Sequence, residues 1–100
     1  MDLELRGKGA LITGGSRGLG KATALTLAAE GCNIAIAART PETLSATASE
    51  IAARQASVRT IEADVTVAED VTRMVDSAAE SLGRLDALVV NAGGAQGDGL

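Results

Sequence analysis

Ala10-Leu11-Ile12-Thr13-Gly14-Gly15-Ser16-Arg17-Gly18-Leu19-Gly20 is the stretch from which the rest of the chain is read. An apolar run enters a glycine-rich turn, and the turn opens into the alanine- and leucine-rich segment Lys21 to Glu30. That order is strand, turn, helix. Glycine admits positive φ and lets another group approach the main chain closely. The unpaired N–H groups and dipole of a helix N-terminus favour an anion there. A phosphate or pyrophosphate is the guest such a turn suits, within an α/β protein.

Two glycine patterns compete for the turn. G-x-G-x-x-G does not occur, because the glycines fall at 14, 15, 18 and 20. The P-loop pattern nearly occurs at Gly15 and Gly20-Lys21-Ala22. It fails at its last position, where a hydroxyl must hold Mg²⁺ and Ala22 has none, so a nucleotide hydrolase is disfavoured. T-G-x-x-x-G-x-G fits without a miss. The alternative is a glycine turn that binds nothing, and the strand before it and helix after it weigh against that.

Outward from this turn the chain alternates. Strand one is expected over Lys8 to Thr13 and helix A from about Gly18 to Glu30, with Leu19, Ala22, Leu25 and Ala29 as its apolar side and Gly31 as its C-terminal cap. Strand two is Asn33 to Ala38. Thr40-Pro41 reads as an N-cap and first helical residue. Helix B then carries Leu44, Ala48, Ile51, Ala52 and Gln55 inward, with Glu42, Glu50 and Arg54 in water. Strand three is Val58 to Ala63. Thr66 and Glu69 have the spacing of a capping box. Helix C has the clearest helical period, Val71, Met74, Val75, Ala78 and Leu82, and Gly83 stops it. Strand four is Leu85 to Val90, and Asn91 to Leu100 is turn chemistry.

The count β-α-β-α-β-α-β implies a parallel sheet, and the continuous apolar strands imply one covered on both faces. The expected fold is an α/β doubly wound sheet, here its first βαβαβ half plus helix C and strand four. Strand order 3-2-1-4 sets the ends of strands one and four side by side, at the reversal where a dinucleotide sits. Residues 1–100 are then the N-terminal dinucleotide-binding portion of one domain that continues further. Strand four would otherwise be an apolar edge that invites aggregation.

Composition narrows the classes. Of 100 residues 46% are hydrophobic, yet Phe, Trp and Tyr are absent, so the core is built of aliphatic residues and no aromatic platform exists for stacking bases. The net charge is -4 and the basic residues are scattered, which argues against a nucleic-acid partner. Without histidine, and with Cys32 as its single cysteine, the chain has no disulfide of its own and no cysteine or histidine metal cluster. Cys32 reads as a buried structural thiol. Glu69, Asp70, Asp76 and Glu80 read as solvation of a helix and not as a metal site. The acidic start Met1-Asp2-Leu3-Glu4 lacks a signal-peptide core, and no apolar run reaches membrane-spanning length. A cytoplasmic protein with no membrane partner is expected.

The position that chooses between dinucleotides lies about 20 residues past the turn, at the end of strand two, where an acidic residue bonds the ribose 2′-hydroxyl of NAD. The sequence there is Ala37-Ala38-Arg39. Ala38 leaves the 2′ position free of negative charge, and the planar fork of Arg39 suits a phosphate. With Arg17 from the turn, it points to NADP(H). Asp64 has two open readings: a carboxylate that suits a strand end near a helix N-terminus, or an acceptor for the adenine amino group. Ser16 could bond a phosphate oxygen or stabilise the turn, and Asn91 could orient the crevice or cap a turn.

Three motifs in order resemble the short-chain dehydrogenase/reductase family, in its NADP-preferring, 3-oxoacyl-carrier-protein-reductase-like form. They are Thr13-Gly14-Gly15-Ser16-Arg17-Gly18-Leu19-Gly20, Asp64-Val65 and Asn91-Ala92-Gly93. The resemblance implies a Rossmann fold and an oxidoreductase that moves hydride between the nicotinamide of NADP(H) and a small carbonyl or alcohol substrate. Cofactor-binding residues would be Gly14, Ser16, Arg17, Gly18, Leu19, Gly20, Arg39, Asp64, Val65, Asn91, Ala92 and Gly93. It further implies a homo-oligomer, a dimer or tetramer, for a longer chain. The family's catalytic Ser and Tyr-x-x-x-Lys are not matched, since the chain has no tyrosine and its two lysines, Lys8 and Lys21, come too early. No catalytic residue is therefore assigned. The other reading is a non-catalytic NADP(H)-binding module.

Overall fold

The structure is a computed structural model, and it describes residues 6–14, 18–53 and 57–90. The elements follow in the order β1 (Gly9–Thr13), α1 (Gly18–Ala29), β2 (Asn33–Ala38), α2 (Pro41–Ala52), β3 (Val58–Glu62), α3 (Ala68–Leu82) and β4 (Ala87–Val89). The strands form one sheet in the order β3-β2-β1-β4, and each described pair is parallel. This is the Rossmann-like α/β arrangement expected from the alternation. Strand one begins at Gly9 and not Lys8, and β4 is three residues long.

Side-chain alternation along β1 and β2 divides the interior into two cores. Ala10, Ile12, Ile34 and Ile36 point to one face, where Ala24 and Ala28 of α1 and Leu44 and Ile51 of α2 cover them. Leu11, Ala35 and Ala37 point to the other, against Ile61 and Ala63 and Met74 and Ala78 of α3. β1 and β2 are thus apolar without a break because both faces are covered.

Three helix faces differ in part from expectation. Helix α1 buries Gly20, Ala24 and Ala28; Leu19, Ala22 and Ala29 lie outside and only Leu25 of the expected stripe packs against the core. Small residues at four-residue spacing let the helix axis lie close to the sheet. Packing therefore selects them over the larger Leu19. Helix α2 buries Thr47 with Leu44 and Ile51, while Ala52 is exposed; Gln55 and Arg54 lie outside the described residues. Helix α3 keeps the expected face, with Met74 and Ala78 buried and Val71, Val75 and Leu82 packed beside them.

The helix ends are also informative. Cys32 N–H donates to the Leu27 carbonyl at 3.1 Å and Gly31 N–H to that of Ala28 at 3.0 Å, with Gly31 at φ +93°. This is a Schellman cap, which turns the chain from α1 straight into β2 with Cys32 buried behind it. Gly83 ends α3 at φ +80°. At the N-termini the expected side-chain caps are not made. Thr40 occupies the N-cap position of α2 without a side-chain cap bond; its carbonyl takes the Leu44 N–H and the Thr43 hydroxyl, each at 3.1 Å. The capping box of Thr66 and Glu69 does not form. Val67 is the N-cap of α3, and Thr66 turns back to Asp64.

Candidate dinucleotide site

The register places the candidate site at one edge of the sheet. Thr13 lies level with Ala37 and Ala37 with Ile61. Beyond those positions Gly14 N–H donates to the Ala37 carbonyl at 2.8 Å, and Ala63 N–H to the Ala38 carbonyl at 3.0 Å. Gly14, Arg39 and Asp64 therefore leave their strands at adjacent points of the C-terminal edge, where open α/β sheets bind ligands. At the same edge the Thr13 hydroxyl makes a long 3.5 Å contact to the Val89 carbonyl of β4.

The turn after β1 has the backbone that its glycines require. Gly14 sits at φ +67° and Gly18 at φ +60°. A Cβ on Gly18 would meet nothing within 4 Å, so that glycine serves conformation, and the space above it is open. Gly20 is buried under α1 and serves close packing on the sheet instead. Three glycines of one motif thus do two different jobs. Leu19 stands 74% exposed at the start of α1, and Val65 is 44% exposed after β3. Exposed apolar side chains after β1 and after β3 suit the flat, partly apolar body of a nucleotide.

The charged groups are arranged by the loop after β3. The Asp64 carboxylate accepts two bonds on Oδ1, from Thr66 N–H at 2.9 Å and from Thr66 Oγ1–H at 2.6 Å. Its own N–H donates to Asp70 Oδ2 at 2.9 Å. Those bonds, led by the Thr66 hydroxyl, hold the Asp64 carboxyl below the usual carboxylate range, and the Arg39 cation lowers it further. Asp70 is thus more than a solvating charge, because it anchors Asp64 and meets Arg73 at 3.5 Å. Arg73 in turn donates to the Glu62 carbonyl at 2.8 Å, so α3 braces the end of β3. The sequence reading missed this brace: Asp70 and Arg73 look like surface charges until the helix docks. Arg39 is exposed and, among the described residues, makes no ion pair within 4.0 Å. Lys21, of the near P-loop, is engaged elsewhere, with Glu50 of α2 at 2.6 Å.

Gly14, Gly18, Leu19, Gly20, Arg39, Asp64 and Val65 are thus brought to one edge. Ser16, Arg17, Asn91, Ala92 and Gly93 lie outside the described residues. No group of acids and cysteine among the described residues could hold a metal ion, and none of their helices is long and apolar enough to cross a membrane. A glycine turn leading into a helix N-terminus, a guanidinium beyond β2, a carboxylate beyond β3 and the exposed apolar side chains of Leu19 and Val65 fit a dinucleotide.

Comparison with known proteins agrees with this geometry. The short chain dehydrogenase family profile matches residues 8–99, so the chain belongs to that family. It is 40% identical over 91 residues to an uncharacterised oxidoreductase of Listeria monocytogenes, covering 91% of this chain and 37% of that protein. It is 42% identical over 87 residues to a 3-oxoacyl-[acyl-carrier-protein] reductase of Staphylococcus aureus, covering 86% of this chain and 35% of the relative. Its fold superposes on carveol dehydrogenase from Mycobacterium avium in complex with NAD with a TM-score of 0.82 at 36% identity, over 87% of this chain and 36% of that one. The chain spans between 32% and 37% of the length of the first relatives that it matches.

Proposed function

We propose that the chain is the cofactor half-site of an NADP(H)-dependent oxidoreductase that exchanges hydride between nicotinamide and a small carbonyl or alcohol substrate. The observation that carries the cofactor choice is at the end of β2. Ala38 is neutral where an NAD-binding protein places a carboxylate, and the next residue, Arg39, is exposed and makes no ion pair among the described residues. A planar guanidinium in that place matches a 2′-phosphate. Gly14 and Gly18 would let the pyrophosphate approach the start of α1, with Ser16 and Arg17 beside it. Leu19 and Val65 would flank the adenosine, and Asp64 would accept the adenine amino group through Oδ2. Asn91, Ala92 and Gly93 would close the far side, next to β4.

When bound, the nicotinamide supplies or accepts the hydride. The described residues would hold the pyrophosphate, the adenosine and the 2′-phosphate of the cofactor. The 100 residues contain no tyrosine, so the proton-transfer group of the family is not among them. The second reading is a non-catalytic NADP(H)-binding module. The likeness to the family also suggests a cytoplasmic homo-oligomer, and for the type of substrate it offers the acyl-carrier-protein reductase as a lead.

Calorimetric titration with NADP⁺ and NAD⁺ tests the cofactor choice. NADP⁺ should bind more tightly, and Arg39→Ala should weaken it by about tenfold or more, the worth of a charge-assisted hydrogen bond, with NAD⁺ little changed. Tighter binding of NAD⁺, or an Arg39→Ala variant that binds NADP⁺ as before, would sink the assignment. NADPH oxidation against ketones and 3-oxoacyl thioesters separates enzyme from module.

A further inference from the structure

Arg39 and Asp64 present opposite charges at neighbouring points of the sheet edge. Arg39 follows Ala38 and Asp64 follows Ala63, and Ala63 N–H donates to the Ala38 carbonyl at 3.0 Å. Yet no ion pair joins them within 4.0 Å. The reason lies in the Asp64 turn. Oδ1 is held twice by Thr66, at 2.6 and 2.9 Å. The Asp64 N–H is pinned by Asp70, its carbonyl takes the Val67 N–H at 3.0 Å, and Arg73 ties that assembly to β3. Oδ1 is thereby committed to its own loop and is lost to a two-pronged pair with a guanidinium. An untethered carboxylate one strand away would form the fork-to-fork pair that arginine favours, and a phosphate arriving at Arg39 would have to displace it.

We propose that Thr66 is a specificity-positioning residue: by tethering the Asp64 carboxylate it keeps that anion off Arg39, so that the guanidinium stays available to a 2′-phosphate. This rests on the dinucleotide reading of the site. Thr66 touches neither phosphate nor adenine in this scheme; it acts through Asp64. Its effect is therefore on discrimination between 2′-phosphorylated and unphosphorylated nucleotides, not on nucleotide binding as such. The two side chains start from adjacent strand ends, one residue beyond the bond from Ala63 N–H to the Ala38 carbonyl, and the Arg39 cation helps to lower the Asp64 carboxyl.

The test is isothermal titration of the whole protein with NADP⁺ and with NAD⁺, read as the ratio Kd(NAD⁺)/Kd(NADP⁺). Thr66→Val keeps the shape and removes the hydroxyl. It should lower the ratio by roughly threefold, the scale of an exposed ion pair gained by the competitor. Thr66→Ser, which restores the hydroxyl, should return the ratio to that of the unaltered protein. In an Asp64→Asn background Thr66→Val should lose its effect, because no anion remains to compete. An unchanged ratio in Thr66→Val, or a fall that persists in the Asp64→Asn background, overturns the proposal. Should Thr66→Val not fold by circular dichroism, Thr66→Ala takes its place: the ratio must fall in the same way, and an unchanged ratio overturns the proposal. If the unaltered protein binds neither nucleotide, the dinucleotide reading itself fails and takes this inference with it.

Discussion

At the scale of single residues, Gly9 shows how closely two segments approach. A Cβ built there would lie 2.2 Å from the Arg84 carbonyl oxygen, far inside contact distance, and both partners are backbone. Gly9 also donates to Asp86 Oδ2 and accepts from Asp86 N–H, each at 2.8 Å. Gly9→Ala must push β1 away from the β4 approach and strain both bonds. Overpacking of this kind costs about 1–3 kcal/mol, so the midpoint of thermal unfolding should fall by at least about 5 °C. A variant that melts with the unaltered protein would show that this approach is looser than described. Nothing in the sequence marks Gly9 apart from its neighbour Gly7; only the arrival of Arg84, 75 positions later in the chain, gives it a task. Asp64, in contrast, is legible as a candidate from its place after a strand, although its attachment to Thr66 is not, because the Thr66–Glu69 spacing suggests a different bond.

At the scale of elements, β4 is held to β1 by its ladder from Ala87 to Val89 and by side-chain bonds just before its start. Arg84 grips Asp86 with two 2.8 Å bonds, Nε to Oδ2 and Nη2 to Oδ1, while Asp86 Oδ2 also takes the Gly9 N–H. The Arg84 bond, then the Gly9 bond, lower the Asp86 carboxyl to about 2, from an ordinary 3.8. The sign follows from linkage. A carboxylate with a depressed folded-state value contributes stability that is present above its unfolded value and is lost as pH falls through the folded one. Acid titration between about pH 4 and pH 2 should therefore loosen β4 from β1, and Asp86→Asn should remove that part of the acid sensitivity. Urea midpoints across this range check it. Identical pH profiles for the two proteins would mean that the carboxylate is not held as described. The helices carry the complementary lesson. Helix α3 was readable because its apolar stripe is the face it buries. Helix α1 was not, because an alanine-rich helix has several usable faces, and contact with the sheet chooses the one with Gly20, Ala24 and Ala28.

At the scale of the whole molecule, two cores on opposite faces of one sheet make β1 and β2 the centre, with β3 and β4 at the edges. The edges are unlike. β3 exposes Arg59, Thr60 and Glu62, and charge discourages a further strand from pairing there. Among the described residues β4 shows no such guard: Leu88 is 50% and the neighbouring Val90 59% exposed. The 100-residue polypeptide by itself should therefore self-associate through β4, and Leu88→Lys should shift it toward monomer in sedimentation velocity at micromolar concentration. A monomeric unaltered polypeptide would show that the β4 edge does not pair in solution.

What the sequence determined by itself was most of what depends on local order, the side-chain caps expected at Thr40 and Thr66 excepted. The alternation of elements, the parallel sheet, the glycine turn at φ +67° and +60° and the Schellman turn at Gly31 follow from residues within a few positions of one another. Strand order follows as well, since a doubly wound sheet has few alternatives. Tertiary structure alone decided which face of α1 is buried, why Gly9 must be glycine, and how α3 braces Asp64 through Asp70 and Arg73. The first two are set by contact between segments far apart in the chain and the third by the docking of α3 against the end of β3, and no periodicity or motif within either segment encodes the partner that will arrive.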